Sequence, residues 1–159
     1  MKRSLKHIIL IMTVAVATVM YFSACDNNIH YFVYKHTPLS GWEKNDTLFF
    51  SVPPVEQSGQ YRQEINMRTN ETYPFTSLSL VVEQTIEPGH RLHTDTLNCH
   101  FLDEEGKHLG HGVSYYQQKF ILTDVSLNKG DSISLTVRHI MKREILPGIA
   151  DVGLKIYKH

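Results

Sequence analysis

Cysteine is scarce in this chain of 159 residues, which holds only Cys25 and Cys99. One possible pair excludes the multi-disulfide framework of small secreted domains. Long apolar runs are equally few. Ile8 to Phe22 is about 15 residues, broken by Thr13 and Thr18, and falls short of the ~20 that a permanent spanning helix needs. Neither sign of charge is in excess, with 16 Lys+Arg against 16 Asp+Glu. No basic stripe is interleaved with aromatics, which excludes nucleic acid as a partner class. The sequence also lacks a G-x-S-x-G elbow, an H-E-x-x-H helix and a phosphate-cradling glycine loop, so neither an enzyme nor a cofactor is expected. A 3.6-residue apolar period is missing beyond the N-terminus, apart from Ile140 to Ile145, where a helical turn is plausible.

What is present begins at the N-terminus. Lys2, Arg3 and Lys6 precede the apolar run with no acid beside them, and Ser23-Ala24-Cys25 follows it directly. A basic start, a short apolar core and small residues at the cut site describe an export signal. Small residues ahead of a cysteine resemble the bacterial lipobox, with cleavage between Ala24 and Cys25 and diacylglycerol on the Cys25 thiol. Phe22 departs from the leucine usual at that position. Residues 1–24 are therefore expected to be a cleaved lipoprotein signal peptide, and residues 25–38 the lipidated cysteine and a short tether. Several acyl chains at about 0.8 kcal/mol per buried methylene make such an anchor in effect permanent. Loss of Lys2, Arg3 and Lys6 takes the 16 basic residues to 13, so the mature chain has a net charge of about −3.

Residues 39–159 read as one domain with a period of two. Thr47–Val52 is a short apolar run. Alternation then recurs over Tyr61–Arg68, Leu78–Glu83, Thr96–Phe101, Ile133–Arg138 and Val152–Tyr157, and Tyr116–Leu122 is a further candidate. Pro53-Pro54 to Gly59, Pro88-Gly89, Asp103 to Gly106, Asn128 to Gly130 and Pro147-Gly148 separate these runs. Short strands with one wet face, divided by turns, predict an all-β fold: a single antiparallel β-sandwich, immunoglobulin-like or jelly-roll-like.

Candidate chemistry is thin. Ten histidines include His90/His93 and His108/His111 at spacings of three, with His100 between, but spacing alone is a weak zinc signal, and no metal site is expected. Asp103-Glu104-Glu105 before Gly106 suits a hairpin tip better than a calcium loop, which needs six to eight oxygen ligands. Cys99 falls in an alternating run and reads as a buried thiol. Three aromatic residues are candidates for contact with a glycan, a peptide or a partner: Trp42, the only tryptophan, and the pair Tyr115 and Tyr116.

Several stretches together resemble the gliding motility lipoprotein GldH family. They are Ile140-Met141-Lys142-Arg143, the run from Leu146-Pro147-Gly148 through Asp151 to Ile156, and Arg68 followed by Tyr73-Pro74-Phe75 and Leu78. Asp95-Thr96-Leu97, the Gly106 to Gly112 hairpin with Leu109-Gly110, Trp42 and Cys25 complete the pattern. His108 departs from it, standing where the family often has an aromatic ring. The resemblance implies a lipid-anchored protein of the Bacteroidota cell envelope, at the outer membrane, with a structural or interaction role in gliding tied to type IX secretion and no established catalysis. Its partners would be the membrane, through the lipid, and gliding or secretion proteins. The alternative is a lipid-anchored β-sandwich module that binds a glycan or peptide.

Overall fold

The computed structural model describes residues 28–158; the expected signal peptide, Ala24 and Cys25 lie outside them. Among the described residues every regular element is a strand: β1 (Ile29–His36), β2 (Trp42–Glu43), β3 (Leu48–Val52), β4 (Gly59–Thr69), β5 (Ser77–Glu87), β6 (Arg91–His100), β7 (Tyr116–Leu127), β8 (Ser132–His139), β9 (Ile145–Leu146) and β10 (Ile149–Lys158). All pairings are antiparallel. One four-stranded sheet has the order β1-β10-β4-β7 and the other β3-β8-β5-β6, while β2 and β9 form a short ribbon. Numbered along the chain, the eight long strands read 1-8-3-6 in one sheet and 2-7-4-5 in the other. That is the double Greek key of a jelly roll, and it settles the expected sandwich against its immunoglobulin-like form.

Alternation explains the two layers. Val152, Leu154 and Ile156 of β10 pair in register with Met67, Ile65 and Gln63 of β4 and turn inward. Leu78, Leu80 and Val82 of β5, with Ile133, Leu135 and Val137 of β8, turn inward from the opposite sheet. Both sets belong to one buried cluster. Each fully buried side chain of this size stabilises the fold by about 1.5–3 kcal/mol. Between the layers, Gln63 Nε2 donates to Gln84 Oε1 at 2.8 Å, satisfying two polar groups that would otherwise oppose burial.

Two expectations fail here. The predicted tether up to residue 38 contains β1, which pairs with β10 from Ile29 onward, so the sandwich starts at Ile29 and not at residue 39. Its pattern was hard to read because Phe32 and Tyr34 face outward while Tyr31 and Val33 face inward, leaving no wet face. Ile140 to Ile145 forms no helix. Ile140 continues the pairing through its N–H to Ser79 O, and the chain then bends into β9 so that Leu146 can pair with Trp42.

The strands run between two ends. At the base lie Asn28, Lys158 and the turns 53–58, 88–90 and 128–131. At the apex lie segments 37–47, 70–76, 101–115 and 140–148. Trp42 seals the apex. It is 0 % exposed, its Nε1–H donates to Asp46 O at 2.9 Å, and its ring meets that of His139 edge-on at 5.3 Å. His139 is equally buried and its Nε2 bonds Trp42 O at 3.1 Å, while Nδ1 has no hydrogen-bond partner.

Burial pushes the His139 pKa below its ordinary value, against the smaller opposing effect of the Trp42 carbonyl. The unfolded chain therefore takes up a proton near pH 6.5 that the native state refuses, so this stability is present above about pH 6.5 and lost as pH falls below it. Urea midpoints at pH 7.5 and 5.5 should separate more for the wild type than for His139→Gln; equal separations would refute the assignment. Burial also pushes the Cys99 thiol up to about 12. In native protein Cys99 should resist maleimide and react only in denaturant, and labelling at the native rate would show the site to be open.

Candidate functional site

The outer face of the β1-β10-β4-β7 sheet is organised in cross-strand rows. One row runs Tyr34, Gly153, Asn66, Lys119 and the next His36, Asp151, Arg68, Gln117. Such a face is ordinarily wet, yet Asn66 and Asp151 are both buried. Gly153 explains part of this. A Cβ there would lie 2.7 Å from two carbons of the Tyr34 ring, so the glycine lets the ring lie down across the strand. The Arg68 guanidinium stacks on the same ring, with Cζ 4.3 Å from its centroid. Arg68 Nη1 then reaches Asp151 Oδ2 at 3.5 Å, and His36 Nδ1 meets the other carboxylate oxygen. Asp151 is thus a 6 %-exposed carboxylate held between a guanidinium and an imidazole.

This row floors a cleft of about 860 Å³ at the apex. Pro38 and Leu39 form one wall, Pro147 to Ala150 another, and His111, Gly112 and Tyr115 a third. Leu39 is wholly exposed and Tyr115 half exposed. Gly148 has φ +80°, and a Cβ there would overlap the backbone of Tyr73. That position therefore requires glycine, and it locks the Leu146-Pro147-Gly148 turn against Tyr73-Pro74. His111 and Gln117 also line a smaller hollow of about 440 Å³ reaching Asn66, whose Nδ2 has no hydrogen-bond partner in the protein.

The other expected residues fall elsewhere. Trp42 is buried and cannot stack on a ligand in this structure, which corrects its candidacy as a contact. Tyr116 stacks on His108 with centroids 3.7 Å apart, so the imidazole takes the place of the aromatic ring usual in the resembled family. His90 bonds Glu87 at 2.6 Å at the base, and His93 bonds Asp95 at 3.1 Å. Among the described residues, no three His, Cys, Asp or Glu side chains are grouped to hold a metal ion. Asp103 Oδ1 accepts from the N–H groups of Glu105 and Lys107, the geometry of a hairpin tip. Sequence reasoning missed His36, Arg68 and Asp151 as a site. Arg68 and Asp151 stood within the resembling motifs, but nothing in spacing showed that they meet.

Comparison with known proteins is decisive on family. The GldH lipoprotein family model matches residues 29–156. This chain belongs to the GldH lipoprotein family. The gliding motility lipoprotein GldH of Flavobacterium johnsoniae is 26% identical over 148 residues, covering 88% of this chain and 91% of that protein. A GldH homolog of Christiangramia forsetii is 25% identical over 150 residues, covering 89% and 91%. Among solved structures, a family 35 carbohydrate binding module from Clostridium thermocellum aligns at 16% identity with a TM-score of 0.41, covering 82% of this chain and 90% of that one. Membership in the GldH family carries with it a lipid-anchored location in the cell envelope. The residues of the GldH motifs that border the cleft are Arg68, His111, Gly112 and Pro147 to Asp151.

The Gly153–Tyr34 fit yields a sign test. Gly→Ala in a compatible strand usually gains stability by restricting the unfolded chain. Here Gly153→Ala should cost about 1–3 kcal/mol from overpacking, while in a Tyr34→Ala background it should become neutral or stabilising. Urea denaturation of the four proteins reads this directly, and an unchanged cost without the tyrosine ring would refute the fit.

Proposed function

We propose that this protein is a non-enzymatic interaction component of the gliding motility apparatus associated with type IX secretion, held at the outer membrane by lipid on Cys25, with the apical cleft as its docking face. Family membership supports the process and the anchor. The observation that carries the cleft is its floor: a buried Asp151 held between His36 and Arg68 beneath walls that carry exposed Leu39 and Tyr115. The polar contacts of Arg68 to Asp151 and Gln117 are long, 3.5 Å and 3.4 Å, so its N–H groups retain donor capacity toward an incoming group. An exposed tyrosine and an arginine with spare donors are residue types enriched at protein-docking sites. The alternative of a glycan or peptide module loses Trp42 and keeps Tyr115 as its exposed ring.

The test is a crosslinked pull-down of the native lipoprotein from envelopes, beside Cys25→Ala and the surface double variant Leu39→Ser/Tyr115→Ser. Gliding or secretion proteins should be recovered with the native form, fall several-fold without the anchor, and fall likewise with the cleft variant. Recovery untouched by the cleft variant would remove the docking role from the apex. No specific recovery with the native protein would refute the interaction reading.

A further inference from the structure

The lipid reading of Cys25, combined with the topology, fixes which end of the sandwich meets the bilayer. Cys25 lies four residues ahead of Ile29, where β1 is already paired with β10. At 3.3–3.6 Å per residue, those four steps reach at most about 14 Å. Asn28 is itself tied to the base by the bond from Lys158 N–H to its carbonyl at 2.9 Å. The cleft lies at the other end of β10, 10 residues away, or about 30 Å at strand rise. A link of 14 Å cannot span the long dimension of the sheet, so the apex cannot turn round to the same membrane face.

The chemistry of the two ends agrees. At the base, Arg91 pairs with Asp131 at 2.7 Å and His90 bonds Glu87 at 2.6 Å, and the acid Glu56 lies at the same end as the cations Lys129 and Lys158. Ile29 and Leu92 add exposed apolar side chains near this end, and Lys129 an exposed cation. Such a surface meets lipid headgroups without repulsion. The acidic run Asp103-Glu104-Glu105 sits in the apical segment, where an anionic headgroup layer would oppose it at close range.

We infer that the base, with Ile29, Leu92 and Lys129, is a membrane-facing surface whose partner is the lipid headgroup layer, and that the apical cleft is held about 30 Å farther out, away from that layer. The inference rests on lipid attachment at Cys25. It adds an orientation that the anchor alone does not dictate, since a domain on a longer link would tumble.

Single reactive thiols make this testable, because lipid consumes the Cys25 thiol and Cys99 is buried. Lys129→Cys at the base, Leu39→Cys at the apex and Phe49→Cys on the outer face of the second sheet would each carry a fluorophore on the full lipidated protein. The protein would be reconstituted in phosphatidylethanolamine/phosphatidylglycerol vesicles containing lipids with nitroxide-labelled headgroups. Quenching at position 129 should exceed that at positions 39 and 49 several-fold. Equal quenching at all three, or the strongest at 39 or 49, in vesicle-bound protein would overturn the orientation and leave the anchor standing. Protein that fails to bind vesicles and whose mass lacks diacylglycerol on Cys25 would overturn both.

Discussion

The register of β10 between β1 and β4 is the constraint on which the rest of this molecule depends. Its odd and even residues do different things. Val152, Leu154 and Ile156 enter the core, while Asp151, Gly153 and Lys155 face outward into the cross-strand rows. A slip of one residue would drive a carboxylate and an ammonium into the interior and expel three aliphatic side chains, a cost of many kcal/mol. The same strand joins the two ends of the described chain, since β1 pairs along nearly its whole length. The core, the apical floor and the base are therefore one hydrogen-bonded object. Pro147-Gly148 determines where β10 starts, because the fit of Gly148 against the Tyr73 backbone leaves room for no side chain.

Legibility in the sequence followed the physics of exposure. β5 and β8 alternate buried and exposed or half-buried positions cleanly, and their inward sets could be named from the chain alone, whereas β3 read only as an apolar run because Phe49 faces outward between buried Leu48 and Phe50. β4 and β10 were legible as strands, but their outward residues read as ordinary wet positions. Glu64, Asn66 and Asp151 are in fact buried, and a period of two contains no information about what lies over an outer face. β1 escaped because both its faces carry aromatic or aliphatic side chains. The two-residue strands β2 and β9 are too short to carry any period, although Trp42 and Leu146 within them are among the largest fully buried side chains.

The cleft was illegible for a different reason. Its floor needs His36 from β1, Arg68 from β4 and Asp151 from β10, three residues that are far apart in the chain and that no local motif joins. The histidine spacings that drew attention instead are local coincidences. His90 and His93 find carboxylates at the base end, and His108 stacks on Tyr116 beneath the apical loop. The resemblance to GldH worked where spacing did not, because its motifs include Arg68 and Asp151 without needing to explain them. The structure supplies the explanation: both belong to one cross-strand row, and Gly153, also in the motif, holds the ring on which Arg68 rests.

On the proposed reading, anchoring and docking become parts of one design. A lipid confines the domain to a layer a few nanometres deep, and for two proteins sharing that layer the confinement replaces diffusion with a high effective concentration. Under those conditions a docking face needs little affinity of its own, but it must point where a partner can reach it. A cleft formed at the bilayer end would be masked by headgroups. One formed where β10 begins stands clear of them by the length of the sheet. In the proposed orientation the jelly roll meets both demands at once: its last strand runs from the cleft to the base, antiparallel to the first, so the strand that aligns Asp151 with Arg68 would also set how far that pair stands from the membrane.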